Sequence, residues 1–508
     1  MRTGTTTART LIDTGPTSMV PAAVGAALGP IWALLTRPSW TAVLLLLSPF
    51  VLVPLGLRLA ASSDLGPHAP LLRPLAWLAP LGATTGATAF ALDPGLTAAA
   101  LTLPWFAYTV GVAAAGVGRL LSRPTLRAPG IAADVGLLFL AVGGAWLTIS
   151  RAGRNPLGFS DAIVELTAVH FHYAGFALPI VAGFVATRLR RSVVVPAAVL
   201  VGVPLTAIGI TVGGTVEWFA ATVMAAAGMA TAGQLLWLGL HNGGATRALI
   251  VTAGSALLTG MALALGWAWS LRFGWSYLGL ASMAATHGSL NALGFGLLAL
   301  LGLNRLPIGT GTALPATGLH LGRPSLDQLR RLAGAVARLE PTSPVGLLDR
   351  PTPPGFRRRQ WQRRIPHGDL DRASQAIGQW AGHDQAGIRR FPKTPGIAVG
   401  ETLALAIPVG PISVSATCRI VDVIDGPECF GFTYATLPHH AVDGEESFVV
   451  ARDDDGSLTI TVTAVWRPTM VANHVCPPLT RWLQNRAINR YLAGIATAPD
   501  PMRTVTST

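Results

Sequence analysis

Residues 282–311 read SMAATHGSLNALGFGLLALLGL and then NRLPIGTG, and the chain changes character between the two pieces. From 282 to 303 there is no Asp, Glu, Lys or Arg, and the run is long enough to cross a bilayer as a helix, which takes about 20 mainly apolar residues. From Asn304 onward charge, proline and turn residues return. Counting outward from this point divides the protein. Residues 1–303 hold 15 Arg, no Lys and 7 acids, whereas 304–508 hold the other 22 basic groups and 17 acids. Two bodies of different solvent preference are therefore joined near Asn304.

The whole composition follows from that division. Of 508 residues, 51% are hydrophobic and 12% charged, with a mean hydropathy of +0.49. Soluble domains carry roughly 25% charged residues, so a single soluble enzyme domain is excluded. Intrinsic disorder, which needs low hydrophobicity, is excluded as well. The net charge of +13 comes almost wholly from Arg. No groove-sized face interleaves basic and aromatic residues, which argues against nucleic acid as a partner. Cys418, Cys429 and Cys476 are odd in number and scattered, which suits a reducing compartment and gives neither a disulfide framework nor zinc spacing.

Apolar stretches predict membrane helices near 19–36, 41–60, 74–92, 95–118, 131–150, 166–187, 193–212, 216–240, 247–270 and 282–303. The expected domain plan is a tail over 1–18, about ten membrane helices over 19–303, a linker over 304–340, an α+β domain over 341–496 and a tail over 497–508. Arg119, Arg123 and Arg127 lie two helices away from Arg188, Arg190 and Arg191, so both groups fall on one side. The positive-inside rule makes that side cytoplasmic, in a bacterial plasma membrane, and places the C-terminal domain there too. In the linker, Asp327–Leu332 suggests a short amphipathic helix lying on the membrane face. Beyond it, a helix is expected over 369–383 and strands near 403–409, 412–424, 429–436, 446–452 and 458–466. A final helix follows over 477–495, with Trp482, Ile488 and Tyr491.

Two stretches in the membrane half and one in the soluble half resemble known families. The runs His170-Phe171-His172-Tyr173-Ala174-Gly175-Phe176 and His287-Gly288-Ser289-Leu290-Asn291-Ala292-Leu293-Gly294-Phe295 resemble the two signature helices of the YndJ-like family. That bacterial membrane-protein family is commonly labelled as transporters without a settled activity. Downstream, Phe430–His440 followed by Gly444-Glu445-Glu446-Ser447-Phe448 resembles a domain of unknown function that also occurs fused to YndJ-like segments. Its usual pattern is Y-G-T-L-P-G-H-P-E and then G-E-E-x-F, from which Ala435, His439, Ala441 and Val442 depart. This second family is similar to helix-grip (START-like) folds. The resemblance therefore implies an antiparallel sheet and a long C-terminal helix around an apolar cavity, and a lipid-like small molecule as ligand.

The polar residues inside the membrane half are the candidates for chemistry. Glu165, His170, His172, Tyr173, His287 and Asn291 lie in segments where polar groups are costly and face the bundle interior. His170 and His172 are about 200° apart around a regular helix, so they look to different faces. Glu165 and His172 share a face, as do His287 and Asn291, so His170 or His172 is expected to meet His287 and Asn291 in one interior cavity, with His172 the better candidate because Glu165 lies on its face. Three uses fit such groups: hydrogen bonding between helices, a substrate or proton path, and a metal or haem held by His170, His172 or His287. Interhelical bonding is the most economical, and no cofactor is required by the pattern.

In the soluble half, Tyr434, Thr436, Pro438, His440, Glu445 and Glu446 are the candidates. Neighbouring strand residues point to opposite faces, so only one of the two glutamates can enter a shared pocket. No Ser-His-Asp order, phosphate loop or HExxH motif points to an enzyme. Three functions stay open on sequence: a transporter or permease, a membrane-attached binding or sensing protein, and a membrane redox protein.

Overall fold

The computed structural model describes residues 19–65, 72–123, 128–189, 193–307, 319–393, 396–410, 412–438, 440–469 and 477–497. The expected N-terminal tail, the C-terminal tail beyond Thr497, and Arg127, Arg190, Arg191, His439 and Cys476 lie outside them. Contacts divide the chain into two compact units, Met1–Leu120 with Leu126–Gly311 and Leu121–Thr125 with Thr312–Thr508.

The first unit is all helix. Its elements are α1 (Val20–Thr36), α2 (Trp40–Ala60), α3 (Leu72–Thr88), α4 (Leu96–Ser122), α5 (Ala128–Arg151), α6 (Asp161–Arg188), α7 (Val194–Val212), α8 (Gly214–Leu240), α9 (Gly244–Phe273) and α10 (Leu280–Leu303). Among the described residues eight of these, α2 and α4 to α10, are long and apolar enough to cross a membrane. All ten expected helices are present in the described residues. The helices occur where expected, but α1 and α3 have 17 residues each, about 25 Å of helix against a hydrocarbon core of about 30 Å. Turn chemistry sets the joints. Ser39 accepts from the Ala42 N–H at the start of α2, and Gly274 ends α9 in the left-handed conformation. Small residues set the packing distance: a Cβ on Gly25 of α1 would sit 1.7 Å from the Phe50 carbonyl oxygen of α2.

Three of these helices depart from regular geometry in the same way. α2 contains a π-helical turn at Ser48–Leu52, α6 one at Phe171–Ala177 and α10 one at Leu290–Leu297. The cause in α2 can be read from the residues. Pro49 has no N–H to give the Leu45 carbonyl, and the Ser48 N–H bonds Leu45 instead. The Leu44 carbonyl thus loses its usual helical donor and accepts the Tyr173 hydroxyl of α6 at 2.6 Å.

The second unit is an antiparallel sheet of β1 (Leu319–Leu321), β2 (Arg357–Ile365), β3 (Arg389–Phe391), β4 (Thr402–Val409), β5 (Ile412–Gly426), β6 (Cys429–Thr436), β7 (Val442–Arg452) and β8 (Leu458–Pro468). The order is β2-β8-β7-β6-β5-β4-β3, with β1 paired to β5 off that path. Among the described residues four helices accompany it: α11 (Leu326–Val336), α12 (Leu370–Gly378), α13 (Ala381–Gln385) and α14 (Pro477–Ala496). Its core joins α12 and Trp380 to Ile488, Tyr491, Leu492 and Ile495 of α14 over Phe432, Phe448, Ile460 and Val462 of the sheet.

Three expectations about this half need correction. The sheet has eight strands rather than five, because β2 reads RRRQWQRRI and only Trp361 and Ile365 are even half-buried. Such a charged edge strand hides from alternation rules and also protects the edge. The segment 304–340 is not simply a linker. The apolar face of α11 (Leu329, Leu332, Ala333) is buried against Ala404 and Ala406 of β4, with Phe391 beside them, so it faces the sheet rather than a membrane. The helix expected over 369–383 breaks at Trp380, which is left-handed at φ 65° and turns α12 into α13.

Candidate functional site

In the membrane unit the π-turns of α2, α6 and α10 touch one another. His170 stands just before the π-turn of α6 and His287 three residues before that of α10, and their rings face each other with centroids 6.5 Å apart. His287 Nδ1 is 2.9 Å from the Gly260 carbonyl of α9. Asn291 lies one turn on, and its amide nitrogen donates to the His287 carbonyl at 2.9 Å and meets the imidazole at 3.1 Å. Its Oδ1 is buried and has no hydrogen-bond partner among the described residues. Gly260 is the residue that makes room, since a Cβ there would lie 2.9 Å from the Asn291 amide. His170 is exposed on the protein and His287 and Asn291 are half-buried, so this polar group opens outward.

The structure separates the first-helix histidines, as helix geometry requires, and it is His170 that meets His287. His172, the better candidate on sequence, is fully buried and turned to α4. Its Nδ1 is 2.8 Å from the Ala168 carbonyl and its Nε2 accepts from the Trp105 indole at 3.2 Å. Trp105 stacks in turn on Tyr108, completing an aromatic column. Glu165 does not join either group by a hydrogen bond, and its Oε1 is buried without a hydrogen-bond partner among the described residues. Tyr173 ties α6 to α2 through Leu44, as described above. The three histidines therefore do not converge, and no group of three or more His, Cys, Asp or Glu gathers among the described residues.

One sequence signal of this site lay unread. His172-Tyr-Ala-Gly-Phe-Ala-Leu178 and Asn291-Ala-Leu-Gly-Phe-Gly-Leu297 align residue for residue, and both cover π-turns. The repeat places Asn291 in α10 where His172 stands in α6. Interrupted helix geometry of this kind is concentrated at functional sites.

In the soluble unit the motif residues divide by strand face. Glu445 and Glu446 are adjacent and point oppositely, as strand geometry demands. Glu445 is buried and accepts from the Gly346 N–H at 2.7 Å and the Leu348 N–H at 3.2 Å, pinning that loop. Gly444, at φ 152°, leaves room for the β8 backbone: a Cβ would lie 1.9 Å from the Val465 oxygen. Thr436 accepts from the Gly444 N–H at 2.9 Å and pairs with the Thr342 hydroxyl at 2.7 Å. The Pro438 carbonyl accepts from Thr417 at 2.9 Å. His440 Nδ1 accepts from the Val442 N–H at 3.2 Å, and burial pushes this imidazole down to about 4. These four hold loops together.

Tyr434 and Glu446 face the core instead. They are opposite each other in the β6–β7 register, and the Tyr434 hydroxyl donates to the Glu446 carboxylate. Burial raises the Glu446 carboxyl to about 7, with the tyrosine bond acting against it. Burial also pushes the Tyr434, Tyr491 and Cys418 groups upward, with Glu446 adding to each. His383 of α13 completes the cluster, stacked on Tyr491 at 4.6 Å and beside Phe448 at 5.0 Å. Its imidazole is pushed down to about 3, first by burial and then by Arg390. Sequence reasoning missed His383 because the break at Trp380 decides which way it points. The result is an aromatic core with one carboxyl group and one imidazole inside it.

Fold and site together define a multi-helix membrane protein carrying an antiparallel α+β domain. Comparison with known proteins is consistent with that class and more particular. Residues 43–295 match the family model of YndJ-like proteins, and residues 342–494 match that of a domain of unknown function, DUF1990. An uncharacterized membrane protein YndJ of Bacillus subtilis is 33% identical over 129 residues, 25% of this chain and 24% of that protein. Two UPF0548 proteins also match. That of Deinococcus radiodurans is 35% identical over 15% of this chain and 38% of its own length, and that of Dictyostelium discoideum is 29% identical over 23% and 61%. The chain thus spans less than two thirds of each of these relatives. Among solved structures, the hypothetical protein jhp0584 from Helicobacter pylori has 7% identity and a TM-score of 0.23, covering 28% of this chain and 86% of its own. Ara h 8.0201 has 14% and 0.20, covering 28% and 98%.

Proposed function

We infer that the protein is a transporter-like membrane protein whose membrane unit admits a small polar solute to the His170–His287–Asn291 group. The observation that carries this reading is the Asn291 Oδ1, buried without a partner beside two facing imidazoles at three touching π-turns. An unsatisfied buried acceptor costs about 1–3 kcal/mol, and a bound donor group would recover it. π-turns supply the second requirement, since a helix with two local geometries can rearrange around a solute at low cost. The membrane is read as a bacterial plasma membrane with the soluble domain in the cytoplasm, because Arg119, Arg123 and Arg188 crowd one side of the bundle in the sequence count.

Small polar metabolites in cells producing the wild-type chain are to be compared by mass spectrometry with those in cells producing Asn291→Leu at equal membrane level. At least one solute is expected to change about fivefold or more with the wild type and to return to baseline with the variant. Identical metabolite profiles for wild type, variant and empty cells would contradict the reading.

A further inference from the structure

The soluble unit contains a second, unrelated feature. A pocket of about 410 Å³ opens at the edge strand β3, lined by Arg323, Asp384, Gly387, Ile388, Arg389, Arg390 and Lys393. Four of these seven carry positive charge and one carries negative. Pockets for small organic ligands have similar volumes but mainly apolar walls. This one has a single aliphatic side chain, so its chemistry is that of an ion site.

The cations are placed by distinct parts of the fold. Arg389 and Arg390 are consecutive on the three-residue strand β3, and both line the pocket. Arg389 donates to the Pro324 carbonyl at 2.9 Å, which draws the chain before α11, and Arg323 with it, to the same place. Gly387 stands in the left-handed conformation, and its missing side chain leaves space beside the Arg323 guanidinium: a Cβ would sit 3.7 Å from Nη2. Arg390 is only 8% exposed, lies over the Trp380 ring at 5.3 Å and donates to the Pro392 carbonyl at 2.8 Å. Asp384 and Glu401 are the acids whose fields reach it. Among the described residues Arg323, Arg389 and Lys393 form no ion pair. Holding like charges together costs free energy that a bound anion would recover, and a partly buried guanidinium gives it a rigid, weakly hydrated wall.

From this convergence we propose that the pocket binds a phosphate-type anion, either a soluble diphosphate-bearing compound or the headgroup of an anionic phospholipid. The forked donors of three arginines match phosphate oxygens in pairs, and Lys393 adds a point charge at the mouth. This site is independent of the membrane reading above and stands or falls without it.

The full-length protein in neutral detergent is to be titrated calorimetrically with sodium pyrophosphate, dioctanoyl phosphatidylglycerol and dioctanoyl phosphatidylcholine. Pyrophosphate or the phosphatidylglycerol is expected to bind, and phosphatidylcholine is not. Arg323→Ala/Lys393→Ala, whose side chains are exposed, should weaken binding about tenfold or more with an unchanged melting temperature. Arg390→Lys, which keeps the charge and loses the fork, should weaken it as well. Pyrophosphate binding would assign a soluble ligand, and phosphatidylglycerol binding alone would assign a headgroup. Absence of binding by both anions, or equal binding by wild type and the double variant, would overturn the proposal.

Discussion

Arg119→Leu is expected to destabilise the membrane unit by about 3–5 kcal/mol. Arg119 Nε lies 2.7 Å from Asp134, and the two side chains are 2% and 0% exposed. The same guanidinium donates to the Ala60 carbonyl at 2.6 Å and reaches the Leu65 carbonyl at 3.5 Å. One side chain therefore closes α2, α4 and α5 at their common end. Leucine in its place removes the cation facing a buried carboxylate and leaves two backbone carbonyls short of a donor. The loss is the desolvation cost of the stranded groups, rather than the net worth of the pair. Hence Arg119→Leu/Asp134→Leu should recover much of the stability, because apolar replacement of both partners is often nearly neutral. Thermal unfolding of the detergent-purified chain, followed by tryptophan fluorescence, measures both. A single variant as stable as wild type, or a double variant no better than the single, would show that the pair does not hold this corner.

Glu446→Gln is the second large effect, and its sign depends on pH. The Glu446 carboxyl is raised to about 7 in the folded protein, against 4.5 for the group in an open chain. The unfolded chain thus releases this proton at lower pH than the folded domain does. Stability from this group is fully present below pH 4.5 and is lost as pH rises through about 7. His383 acts in the opposite window: its imidazole is held down to about 3, so stability from it is lost as pH falls from 6.5 toward 3. At pH 8 Glu446→Gln should stabilise the soluble unit by about 2–3 kcal/mol and should have little effect at pH 4. The glutamine keeps an acceptor for the Tyr434 hydroxyl, which isolates the charge as the variable. Melting temperatures of wild type and variant at pH 4, 6 and 8 give the answer, and equal differences at all three values would contradict the assignment.

The legible and illegible parts of this sequence differ for physical reasons. The membrane half was readable because 20-residue apolar runs have few other fates, and the two shortest helices, α1 and α3, still occur where the runs place them. Strands β4 to β8 were readable from alternation, whereas β2 was not, since its exposed edge carries arginines where alternation needs apolar residues. α11 showed its amphipathic face plainly, but nothing local says whether that face meets lipid or the strand β4. At the membrane site, helix periodicity correctly parted His170 from His172. It allowed either to meet His287 and favoured His172, which Trp105 on α4 claims through a contact that spans 67 residues. The π-turns could have been suspected from the shared Gly-Phe repeat, but their cause in α2, Pro49, acts through a hydrogen bond that only the folded bundle completes.

Thiol accessibility tests most directly whether the His170–His287–Asn291 group is a polar site that a solute can reach. In a chain with Cys418, Cys429 and Cys476 replaced, Asn291→Cys and His172→Cys are to be treated with a membrane-impermeant maleimide in intact and in opened membranes. Asn291→Cys is expected to be modified. His172→Cys, packed against Trp105 and Gly143, is expected to stay unmodified. Modification of His172→Cys with Asn291→Cys left untouched from both sides would contradict the account.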